Sequence, residues 1–155
     1  MTARQAAARA LEQRALSDGP ILAGLAELEE FGGLDQALAY LHGRWVTYVG
    51  AAADAEAERG SEDPVEVVRQ AWRRVMSDHP GLLDILVRHS DAPVLAEADA
   101  RHRQRVASGA GCRPDELPSF QDIAALLAEL TAVLADDDAP DGPAVATREA
   151  VPAGA

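Results

Sequence analysis

The sequence predicts an all-α fold: a compact bundle of about six helices followed by a disordered acidic tail. Three observations predict it. Prolines and small polar residues recur as helix starts and glycines recur as stops; apolar residues between them step by three and four; no apolar and polar alternation is long enough for a strand.

Taken in order, a first helix over about Ala3–Ser17 has only Leu11 and Leu16 as large apolar residues, which predicts loose docking. Between Pro20 and Phe31 a short helix carries Ile21, Leu22, Leu25 and Leu28 and is closed by Gly32 and Gly33. The longest element runs from Leu34 to about Arg59, a length of ~39 Å at the helical rise per residue. Its apolar stripe is Leu34, Leu38, Leu41, Trp45, Tyr48 or Val49, and Ala52. Gly43, Gly50 and Ala57 recur every seven residues along another side. An interior glycine costs about 1 kcal/mol relative to alanine, so this side is expected to admit a second backbone and to serve as an interface.

Asp63, Pro64 and Glu66 start the next helix: the carboxylate caps free amides, proline fits the first turn, and Glu66 completes a capping-box-like arrangement. It runs to about Ser77, with Val65, Val68, Trp72 and Val75 on one face. His79 and Pro80 open a helix containing Leu82, Leu83, Ile85 and Leu86 that stops near His89. Asp91 and Pro93 begin another, with Leu95, Ala98, His102 and Val106 in one stripe and a stop at Gly109 and Gly111. Its charges pair at helical spacing, Glu97 with Arg101 and Asp99 with Arg103. Ser119 with Asp122 starts the last helix, where Ile123, Leu126, Leu127, Leu130, Val133 and Leu134 repeat with helical period up to Ala135. No coiled-coil repeat is sustained over many turns. Three organisational units follow: an N-terminal helix in residues 1–19, a helical domain in 20–135, and a tail in 136–155 rich in proline, glycine and acid.

Composition narrows the function. All 14 basic residues are arginines, lysine and asparagine are absent, and the net charge is −12. Asp136, Asp137, Asp138, Asp141 and Glu149 against Arg148 leave the body acidic as well as the tail. Nucleic-acid binding calls for a basic footprint, so it is not expected. A lone Cys112, an N-terminus without a secretory pattern and no membrane-length apolar run predict a cytoplasmic protein that does not enter a membrane.

The stretch Phe31–His102 holds five of the six aromatic residues and all four histidines. Tyr40, His42, Trp45, Trp72 and His102 are its candidate ligand-binding residues, and Arg88, His89, Arg101 and Arg103 a candidate anion site. The histidines lie on separate elements without metal-ligand spacing, and no nucleophile motif is present, so no metal, cofactor or catalytic set is expected. The run Asp63–His89 resembles, in composition alone, the ligand-binding helical domains of TetR-like regulators; their DNA-reading helix-turn-helix is not evident. The reading is a small regulatory or interaction protein that works through a helix face by protein–protein contact, as a homodimer. The alternative is a small-molecule binder or enzyme using the Tyr40–His102 set.

Overall fold

The computed structural model describes residues 1–17 and 26–137. Ile21, Leu22, Leu25 and the tail from Asp138 onward lie outside them. The described chain is α-helical: α1 is Ala3–Ser17, α2 Ala26–Glu29, α3 Leu34–Glu58, α4 Pro64–Asp78, α5 Pro80–Arg88, α6 Pro93–Ala110 and α7 Phe120–Asp137. A single 3-10 turn, Pro114–Glu116, precedes α7. No helix among the described residues is long and apolar enough to cross a membrane.

Local chemistry sets the helix ends. Gly32 and Gly33 take φ values of 84° and 120°, open to glycine and strained for other residues, and so turn the chain into α3. Asp63 accepts the Val65 amide hydrogen at 3.0 Å ahead of Pro64. Glu66 does not close a capping box there; its carboxylate receives Gln70 at 2.7 Å further along the helix. Gly111, at φ 67°, ends α6. Ser119 Oγ accepts the Asp122 amide hydrogen at 3.1 Å to start α7, which continues past Ala135 to Asp137.

α3 is the central helix, packed chiefly on α4 and α6, while α1 lies on α5 and α5 meets the start of α7. The middle of the core is a triangle of rings. Trp45 and Trp72 meet edge to face at 5.0 Å, as their stripes predict, and Phe120 completes the triangle at 5.2 Å from Trp45 and 5.0 Å from Trp72. Such contacts add about 0.5–1.5 kcal/mol each beyond the area they bury. Phe120, remote in sequence from the aromatic stretch, is thereby its third member and the root of α7.

α1 is held by small residues. Ala7, Ala8 and Leu11 are buried, and a Cβ at Gly81 would collide with the Glu12 backbone carbonyl, so the α1–α5 crossing is close because position 81 has no side chain. Counting large side chains understates that packing. Among the described residues no backbone approaches the glycine side of α3: Gly43, Gly50 and Ala57 are exposed, and a Cβ at either glycine would touch nothing within 4 Å. Their seven-residue repeat faces solvent rather than a second backbone of this chain.

Candidate functional site

Two arrangements in this fold depart from what stability alone would select. The first lies where α3 crosses α6. His42 sits one turn before Trp45 on the buried side of α3, and Asp99, His102 and Arg103 occupy neighbouring positions on the facing side of α6. Asp99 Oδ1 is 3.7 Å from His42 Nε2, and Asp99 Oδ2 is 3.6 Å from Arg103 Nε. The His42 and Asp99 side chains retain only 8% and 7% of their accessibility. The His102 ring stands edge-on to His42 at 6.1 Å, and Phe120 covers the other side at 6.2 Å.

Both separations exceed hydrogen-bond length. His42 Nε2, Asp99 Oδ1, Arg103 Nε and the nearby Trp45 Nε1 are all buried without a hydrogen-bond partner among the described residues. A buried polar group left without a partner costs about 1–3 kcal/mol. Burial pushes the His102 imidazole below its ordinary pKa; His42 and Arg105 lower it further, and Asp99 opposes them. His102 is accordingly favoured neutral.

Sequence reasoning found His42, His102 and Arg103 but assigned Asp99 only to an ion pair with Arg103. The pair with Arg103 exists, yet Asp99 points into the protein and is 5% exposed. The buried residues of α6 are Leu95, Asp99 and Ala107, a stripe rotated from the expected Leu95, Ala98, His102 and Val106. A signal was present: Asp99 precedes His102 by three, the one acid–histidine pair at that spacing.

The other expected site residues are dispersed. Tyr40 packs on Phe31 at 5.1 Å, and Trp45 and Trp72 are core residues at 1% and 3% exposure. Arg88 is held by Asp84 at 2.8 Å, whereas Arg101 is exposed and lines an open hollow with Gln104 and Arg105. His89 is half-buried at the end of α5, and burial lowers its pKa, with Asp91 opposing and Arg88 assisting. The proposed pairing of Arg101 with Glu97 is not among the ion pairs of the described residues, which include Asp99–Arg103. Four residues the sequence did not group form a second polar tie: Arg44 bonds Glu12 at 3.2 Å and the Tyr48 hydroxyl at 2.8 Å, and Tyr48 stacks on His79 at 4.0 Å. It joins α1, α3 and the α4–α5 junction. Shallow hollows flank His79 on both sides, one against α1 and one against α3.

The second departure is α7. Its first turn is rooted through Phe120, and Gln121 Nε2 donates to the Ser90 carbonyl at 3.3 Å. Ile123 and Ala124 still touch the core, but every residue from Ala125 to Asp137 is exposed. That includes Leu126 at 56%, Leu127 at 48%, Leu130 at 52%, Val133 at 63% and Leu134 at 66%. The most regular apolar face in the sequence therefore has no covering element among the described residues.

No protein family, curated protein or solved structure matches this chain. The chemistry has to be read from the two arrangements themselves. At the α3–α6 crossing, an imidazole beside a carboxylate is the orienting half of a general-base pair, but a base acts only within reach of a proton to be abstracted. Here Nε2 is turned toward Asp99 beneath aromatic rings. Among the described residues no group of three histidines, cysteines or carboxylates is spaced to hold a metal ion. The cluster lies between α3 and α6, and α7 presents apolar surface.

Proposed function

We propose that this chain is a small helical interaction protein, working in the cytoplasm, that binds an apolar-striped helix of another protein along the exposed face of α7. One observation carries the reading: five large apolar side chains in successive turns of α7 are each about half or more exposed. Scattered apolar residues are ordinary on a surface, whereas a contiguous apolar band marks an interaction site. The spacing is that of a helix-on-helix seam: Leu126, Leu130 and Val133 step by four and three, continuing from Ile123, which itself rests on the core.

Physical chemistry supports a docking helix as the occupant. An isolated helical segment this short is marginal in water, and alanine-rich sequence with one anchored end lessens that penalty without removing it. A partner that covers the leucines would stabilise the helix and bury its apolar face together. The glycine side of α3, expected to form a homodimer, offers no comparable apolar area: Gly43, Gly50 and Ala57 are small and exposed.

Calorimetric titration of the full-length protein with a synthetic three-heptad amphipathic helix carrying leucine at both seam positions tests this reading. Binding is expected, and the double variant Leu127→Asp/Leu134→Asp is expected to lose it while melting as the unmodified protein does. No binding by the unmodified protein, or undiminished binding by the variant, removes α7 as the functional face.

A further inference from the structure

Three of the four charged residues of α7 lie along one flank, and the fourth, Asp137, stands seven after Leu130 at the helix end. With Ile123 and Leu130 as the first seam position and Leu126 and Val133 as the second, Asp122, Glu129 and Asp136 all fall at the position just before the first seam residue, seven apart. Leu127 and Leu134 occupy the opposite flank, and the back of the helix is Ala124, Ala125, Ala128, Thr131, Ala132 and Ala135. α7 contains no basic residue. Flank positions of a helix pair choose the partner and its orientation through charge.

Resting on the α7 reading, we infer that the partner is a different protein whose docking helix carries arginine or lysine at seven-residue intervals along the edge facing Asp122, Glu129 and Asp136. Self-pairing is opposed in both orientations. An antiparallel copy sets the acidic row against the same acidic row, and a parallel copy sets it against Leu127 and Leu134, where carboxylates would lose water and gain no cation. Two of the exposed arginines of the chain itself, Arg101 and Arg105, line a hollow with Gln104 and present no apolar ridge there to receive the leucines.

A second feature points the same way. Asp136 and Asp137 stand at the carbonyl end of α7, where the helix dipole disfavours negative charge, and no basic residue in the last turn offsets them. A cation on the partner supplies what that end lacks. The same acidic flank argues against an anionic membrane or a nucleic acid as occupant, since both require a basic edge.

The test uses two synthetic three-heptad helices with identical leucine seams, one flanked by arginine and one by glutamate, titrated into the full-length protein. The arginine-flanked helix should bind more tightly by on the order of tenfold, the scale of a few exposed ion pairs, and the advantage should shrink as salt is raised. Glu129→Arg/Asp136→Arg should invert the preference. Asp54→Arg/Glu58→Arg, at exposed positions of α3, changes net charge equally and should leave the preference in place. Equal binding of both helices, or inversion by the α3 control as well, overturns the charged-partner inference while the α7 reading stands. A concentration-dependent dimer in sedimentation that Leu127→Asp/Leu134→Asp abolishes overturns it in favour of a second copy. Failure of both helices to bind removes the α7 reading and this inference together.

Discussion

α6 buries charge and α7 exposes leucine. On α6, Asp99 is turned into the protein against His42 with an unpartnered oxygen, while on α7 five apolar side chains stand in solvent. Exchanging those preferences would make a more stable isolated bundle, because an unpaired buried polar atom and an exposed apolar band both forfeit free energy. The contrast separates two jobs. The α3–α6 crossing holds its polar groups beside Phe120, and that residue roots the arm that carries the exposed face.

The largest effect that would break this contrast is at the root. Phe120→Ala removes a fully buried ring in contact with both tryptophans and should cost about 3–5 kcal/mol in urea unfolding. Trp45 and Trp72 emission should change with it. Leu130→Ala, further along the same helix and 52% exposed, should stay within about 0.5 kcal/mol of the unmodified protein. Equal losses at the two positions would mean that the arm is covered in solution.

At the crossing, His42→Leu strands a buried carboxylate beside Arg103 alone and should destabilise by about 2 kcal/mol. His42→Leu/Asp99→Leu removes the stranded carboxylate as well, and should recover much of that loss, with the Arg103 guanidinium, 23% exposed, turned to solvent. A double variant less stable than the single one would show that Asp99 stabilises the fold by another route.

Acid should act in the same place. The folded-state pKa values of His102 and His89 are lowered, first by burial in both cases. The unfolded chain therefore takes up protons more readily, so their contribution is complete above the ordinary histidine pKa of about 6.5 and is lost as pH falls below it. Tm should fall on acidification from about pH 7.5 to about pH 5, and His102→Gln should flatten that decline. An unchanged slope in the variant would place the acid sensitivity elsewhere. The smallest change belongs to the open side of α3: Gly43→Ala and Gly50→Ala should each stabilise by about 0.5–1 kcal/mol, because the added methyl meets no neighbour. Loss of stability there would reveal a packed neighbour.

Much of the fold is legible before any packing is known. Pro64, Pro80 and Pro93 mark three helix starts, Asp63 and Ser119 cap where their chemistry suits them, and the stripes of α3 and α4 bring Trp45 to Trp72. The site is less legible. Asp99 satisfies the spacing rule for a surface pair with Arg103, and that rule does not report which way the helix is rotated against its neighbour. The glycines of α3 and Gly81 are indistinguishable by propensity, yet only Gly81 lies under another helix.

The sequence by itself determined that the chain is helical, where most helices begin, and which faces are apolar, because capping, proline geometry and periodicity act within a few residues. The tertiary structure alone decided which apolar faces are covered and which polar groups are buried. Those outcomes depend on contacts between residues far apart in the chain: Phe120 against Trp45 and Trp72, Gly81 beneath Glu12, and Asp99 against His42. The periodicity of α7 states that its leucines suit a helical seam; the packing of the other described helices leaves that seam uncovered.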